Sequence, residues 1–206
     1  MVKMFTWLSE NASAIQAIAA VASAVVWLVY LQILVGGIRR NKRAWLSINQ
    51  GAGDGLNAHV LISNLSNEPV YLRDILMSVK DGETTKRAFI TERAEYSRED
   101  LDDALSGTLQ GPLQGGDYRS LGELREIFSR AGISNEPEDV EKIDEIEFVA
   151  FGATHTTAGA CKRYRLTQDK NGNTKIEPTR MQTRRLSRWR CRRIARRAAK
   201  QVQQAA

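Results

Sequence analysis

The spacing of hydrophobic and polar positions changes three times along this chain, and each change predicts a different kind of element. The first stretch shows no alternation. From Asn11 to Ile38, NASAIQAIAAVASAVVWLVYLQILVGGI runs 28 residues without a charged side chain. As a helix it would extend roughly 42 Å, more than the ~30 Å hydrocarbon core of a bilayer requires. A helix satisfies its own backbone in lipid, whereas a helix apolar on all sides needs a large soluble core around it. The rest of the chain is too polar to supply one. We therefore expect a short N-terminal tail at 1–11 and a single membrane-spanning helix at 12–38. A cleaved signal peptide fits less well, because Glu10 interrupts early and the apolar run is about twice the usual length of such a segment.

After residue 43 the period becomes two. Trp45–Ile48, His59–Ser63, Val70–Lys80, Thr85–Thr91, Ile146–Phe151, Cys161–Leu166 and Thr174–Ile176 alternate or form short apolar runs, each bounded by turn residues. The Gly51-Ala-Gly53-Asp-Gly55 cluster lacks a following helix and a Gly-Lys-Ser/Thr, so it reads as a hairpin connection and not as a phosphate loop. Asp81-Gly82 reads as a tight turn, and Gly152 to Gly159 as a loop or hairpin. These strands predict a mainly antiparallel β-sandwich over 44–177, immunoglobulin-like in layout.

Residues 92–142 break the alternation and are expected to form a partly helical insertion. Ser97 could cap one short helix. Ser120 and Glu123 have the capping-box spacing ahead of LREIFSRAGI, with Gly132 as its stop. Gly107 to Asp117 is expected to be a loop. From Thr179 the period becomes helical, with Pro178 just ahead of the first turn. Cys191, Ile194, Ala195, Ala198 and Val202 fall on one narrow side of that helix, and arginines cover most of the rest, giving a basic helical tail at 178–206.

Charge sharpens this division. The 206 residues carry a formal net charge of +6, but 92–147 carry −10 and 148–206 carry +13. Behind the span, Arg39, Arg40, Lys42 and Arg43 form a basic clamp at 39–43, while its other flank offers Lys3 against Glu10. Positive flanks stay cytoplasmic, so the N-terminus is expected outside and the body in the cytosol, at a plasma or inner membrane. Two Asn-x-Ser strings, Asn11 to Ser13 and Asn64 to Ser66, have the glycosylation spacing; in this topology the second faces the cytosol.

Two contact surfaces stand out. Ser13, Ala17, Ala20 and Ala24 form a small-residue stripe on the span, suited to close packing against a second copy or a partner helix. In the tail, Arg184, Arg185, Arg188, Trp189, Arg190, Arg192, Arg193, Arg196, Arg197 and Lys200 can lie on anionic lipid, neutralise nucleic-acid phosphates with Trp189 stacking on a base, or bind the acidic insertion.

Catalytic chemistry is thin. His59 falls within a strand and His155 in a loop, six positions before Cys161, which is no metal or nucleophile motif. Cys161 and Cys191 are too few for a disulfide scaffold and are expected unpaired in a reducing cytosol. We expect no enzyme, no metal and no cofactor. The chain reads as a membrane-tethered interaction or accessory module whose basic tail contacts anionic lipid, the bilayer itself being its first partner. The alternative is a membrane-attached nucleic-acid binder.

Overall fold

The computed structural model describes residues 7, 11–41, 44–92, 107–153, 157–169 and 174–205. The chain divides into two compact units, Met1–Arg43 and Ala44–Ala206. The first contains α1 (Ala12–Asn41), whose apolar part, Ala12–Gly37, is long and apolar enough to cross a membrane and is not buried within the chain. No other helix among the described residues meets that description.

The second unit is built on two antiparallel sheets. The smaller has three strands, in the order β1 (Leu46–Gln50), β2 (His59–Asn64), β6 (Tyr118–Glu123). The larger has seven. Its path runs β10 (Arg184–Leu186), β8 (Thr157–Gln168), β7 (Ile143–Ala153), β3 (Val70–Asp81), β4 (Thr84–Phe89), with β5 (Gly111–Leu113) added to β3 and β9 (Thr174–Pro178) to β8. Among the described residues it also has three helices, α2 (Leu124–Arg130), α3 (Pro137–Val140) and α4 (Arg188–Ala205). A 3-10 turn at Gly55–Asn57 lies in the glycine-rich β1–β2 hairpin, and Gly82, at φ 54°, turns β3 into β4.

Alternation places the core. Ile48 of β1, Val60 and Ile62 of β2 and Leu121 of β6 share one buried apolar cluster with Leu72, Ile75 and Met77 of β3, Phe148 of β7 and Tyr164 of β8. Leu76, Val149, Phe151 and Cys161, one residue out of phase in the same strands, belong to a second cluster on the opposite face of the large sheet. That cluster includes Leu186, Cys191 and Ala198, with Ile194 and Ala195 packed against it. Both faces of the large sheet are thus covered over part of their extent, one by the main core and the other by α4.

The strands expected at seven places are present, and three more appear: β5, β6 and β10. β5 lies in the expected loop. β6 occupies the residues assigned to a helix start, so the cap moves from Ser120 to Glu123, which forms a reciprocal capping box with Glu126. Gly132, at φ 64°, follows the end of α2. The described part of the expected insertion is integral to the fold. β5 pairs with β3, β6 pairs with β2, and α2 buries Leu124, Ile127 and Phe128 in the core. The tail helix begins at Arg188 and not near Thr179, because Pro178 ends β9 and Arg184–Leu186 pair with β8. The Ser97 helix start lies outside the described residues.

The turn after β2, which carries the chain from the small sheet to the large one, is held by one side chain. Asn64 is fully buried; its amide donates to the carbonyls of Glu68 and Leu113, both at 2.9 Å, and its Oδ1 accepts from the Ser66 backbone N–H at 3.0 Å and the Ser66 hydroxyl. The Asn-Leu-Ser string is therefore structural, with no free amide left for a glycan.

Candidate functional site

α4 exists because its two sides have different partners. Its interior holds arginines, alanines and glutamines, which favour helix, and no proline or glycine. Every three or four residues a small or apolar side chain faces the large sheet: Cys191 and Ala198 are buried, and Ile194 and Ala195 half-buried. Close approach is possible because β8 presents Gly159 at that point. A Cβ added there would lie 2.4 Å from the Cys191 Sγ. The narrow apolar side predicted for the tail is therefore in use, and its partner is the chain's own sheet.

The other sides of α4 are cationic. Arg188, Arg190, Arg192, Arg193, Arg196, Arg197 and Lys200 are all exposed, and among the described residues none forms an ion pair. Trp189 is 65% exposed, with the Arg193 guanidinium 5.3 Å from its ring centre. In the described part of the expected insertion Glu123 pairs with Arg125, Glu126 with Arg130 and Asp139 with Lys142, and just beyond it Glu145 and Glu147 pair with Arg163; among the described residues no acid pairs with α4. Lys142 and its hydrogen bond hold the Asp139 carboxyl below the usual carboxylate range, and the Lys142 ammonium is raised in turn.

The N-terminal part of the basic segment is differently used. Arg184 and Arg185 stand on β10, exposed. Arg185 donates to the Ala44 carbonyl at 2.9 Å and lies 5.7 Å from the centre of the Trp45 ring. Just ahead, the Ile48 N–H donates to the Thr183 hydroxyl and that hydroxyl donates back to the Ile48 carbonyl, both at 3.0 Å. Thr183 thereby takes both ladder bonds of one residue on the edge strand β1. Neither contact is legible in the sequence, since each joins residues more than 130 positions apart.

In the first unit, Ser13, Ala17, Ala20 and Ala24 are all exposed on α1. Arg39 and Arg40 lie in its last turn, and Lys42 and Arg43 fall outside the described residues, as does His155. His59, on β2, lies 3.8 Å from Glu123 of β6, a cross-strand contact and no catalytic constellation.

Both cysteines are free and buried. Burial first, and then the Glu147 carboxylate that accepts from its thiol at 3.2 Å, pushes the Cys161 pKa from 9.0 up to about 12. Burial also raises the Cys191 thiol and the Tyr164 phenol. A group whose acid form is favoured by folding contributes stability below its unfolded pKa and loses it as pH rises. We therefore expect alkaline destabilisation beginning near pH 9 and deepening towards 12, measured by thermal melting. Cys161→Ala should weaken that slope while leaving the part due to Tyr164. In the folded chain both thiols should resist maleimide at neutral pH.

Compared with protein-family models, curated proteins and solved structures, the chain matches none.

Proposed function

We propose that this chain is a membrane-tethered interaction or accessory module, not an enzyme, whose C-terminal helix contacts anionic lipid headgroups. The observation that carries this reading is the exposed row of seven cations on α4 that form no ion pair among the described residues. Each basic residue near an acidic surface adds on the order of 1 kcal/mol. The tether supports lipid over other polyanions. A chain held at the bilayer by α1 meets headgroups at high local concentration, and Arg185 binds at Ala44, where the body takes over from the tether. Nucleic acid is the second reading, favoured by the exposed Trp189 ring. Full-length protein in phosphatidylcholine nanodiscs, offered acidic vesicles and labelled RNA in parallel, tests the ranking: RNA binding without vesicle binding reverses it.

In the same reading the N-terminus lies outside and the body in the cytosol, because Arg39, Arg40, Lys42 and Arg43 resist translocation. A reporter fused after Ala206 should be active in the cytosol of intact cells; activity only outside overturns the orientation. We also take the body to be a two-layer sandwich with an immunoglobulin-like layout of short antiparallel strands. Its support is the single cluster shared by Ile48, Val60 and Leu121 with Leu72, Phe148 and Tyr164.

The exposed stripe of Ser13, Ala17, Ala20 and Ala24 supports pairing of α1 with a second copy or a partner helix. Ala20→Ile should block close approach and lower crosslinking in native membrane. Equal crosslinking of both forms would place assembly elsewhere.

A further inference from the structure

Antiparallel pairing brings one set of strand ends together. The start of β1 meets the end of β2, since Leu46 pairs with Asn64 and Leu65 donates its N–H to the Trp45 carbonyl at 2.7 Å. Tyr118, at the start of β6, pairs with Ser63. In the large sheet Tyr71, near the start of β3, pairs with Ala153, and Ala153 with Thr157 at the start of β8. The two sheets join here over Gly152, where an added Cβ would lie 2.6 Å from Val70 and 3.0 Å from Leu46. β10 runs towards the same end through Leu186, opposite Gly159, and Trp189 follows in the first turn of α4.

Trp45, Leu65, Tyr71, Tyr118 and Trp189 are 45% to 68% exposed, five of the six large apolar side chains that the second unit exposes among its described residues. The sixth, Met181, lies between β9 and β10. The turns and strand ends at the opposite end carry exposed Asp54, Asp81, Glu83 and Asp144, and no exposed large apolar side chain among the described residues. Apolar side chains gathered in one region of a surface mark a contact. The chain itself says with what. Ala44, the first residue of the second unit, stands at this end, six residues beyond Gly37, the last of the apolar part of α1. That link reaches at most roughly 25 Å when fully extended, so this end stays beside whatever bilayer α1 crosses.

We propose that this end of the body seats in the interfacial layer of that membrane, held by Trp45, Leu65, Tyr71 and Tyr118. Trp and Tyr concentrate at that depth because each ring has an apolar body and a polar tip. Leu65 adds wholly apolar area. Arg185, exposed and 5.7 Å from the centre of the Trp45 ring, is placed to keep its stem on the ring and its charged head among lipid phosphates. The proposal rests on α1 as the tether and not on the cations of α4. It therefore holds on zwitterionic lipid as well as on acidic lipid.

The test attaches an environment-sensitive nitrobenzoxadiazole label to full-length protein in phosphatidylcholine nanodiscs, at one exposed position at a time. Leu65→Cys probes the seated end, Glu83→Cys the opposite end and Val25→Cys the tether; both native thiols are buried. At Leu65 the emission should shift to the blue and be quenched by nitroxide-bearing phosphatidylcholine. At Glu83 it should stay aqueous and unquenched. A quenched label at Val25 with an aqueous one at Leu65 keeps the tether and overturns this proposal, whereas an aqueous label at Val25 overturns both. A blue shift at Leu65 without lipid quenching assigns the patch to a protein contact, such as a second copy, and also overturns it. Raising salt should leave the Leu65 signal in place; its loss would assign the seating to charge instead. Trp45→Ser combined with Tyr118→Ser should return the Leu65 label to the aqueous signal. Both rings are exposed, so the melting temperature should hold. Quenching that survives the double substitution overturns the role given to the rings.

Discussion

Replacing Arg188, Arg192, Arg193 and Arg196 by alanine should detach the nanodisc-held protein from acidic vesicles, weakening association by roughly 10³-fold at low salt. The magnitude follows from about 1 kcal/mol for each basic residue near an anionic surface, where 1.4 kcal/mol is a factor of ten. The fold should be untouched. All four side chains are exposed and unpaired among the described residues, and alanine is the better helix former. A melting curve unchanged beside a lost vesicle signal separates contact from folding. The matching lysine variants should retain most of the binding, because attraction to a lipid surface needs charge more than fork geometry. Raising ionic strength should mimic the alanine variant, since exposed charges are screened within about 10 Å at 0.1 M salt. Vesicle binding that survives all four alanine substitutions would remove α4 as the contact surface.

Asn64→Ala should be the most destabilising single change outside the apolar clusters. The amide links the turn after β2 to Glu68, to Leu113 of β5 and to Ser66, and no solvent reaches it. Alanine leaves the Leu113 carbonyl and the Ser66 N–H without those partners in a dry site. Each buried group left unmade costs about 1–3 kcal/mol, so a loss of about 3 kcal/mol or more is expected. For a domain of this size that corresponds to a melting temperature lower by roughly 6–12 °C. Asn64→Asp should not rescue it, because a carboxylate turns an acceptor towards two carbonyls. A near-wild-type melt for Asn64→Ala would mean that the turn holds without this side chain.

Most of the strands were legible because their period was undisturbed. Val70–Asp81 and Ile143–Ala153 also carried a signal that alternation alone does not use. Ile75-Leu76-Met77 and Phe148-Val149-Ala150 are consecutive buried residues, the mark of a strand covered on both faces. That run implied a second layer over the large sheet, and the narrow apolar side of α4 was the complementary half; neither names the other without coordinates. The strands that were missed gave local signals pointing elsewhere. Ser120 and Glu123 have helix-start spacing, yet pairing with β2 extends the strand to Glu123 and leaves that residue as the cap. Arg184-Arg185-Leu186 looked like more of the basic helix, since charged edge strands have no period to betray them. Of the candidate sites, the cations of α4 were readable from composition.

If α4 contacts lipid as proposed, its docking on the sheet also limits what the helix would sense. Amphipathic helices that insert an apolar face into packing defects respond to curvature and bind small vesicles better than large ones. Here Cys191 and Ala198 are already buried against the sheet, which leaves the exposed Trp189 but no continuous apolar side among the described side chains of the helix. What remains is a raft of charge, whose attachment should track the surface potential of the leaflet and stay indifferent to vesicle diameter.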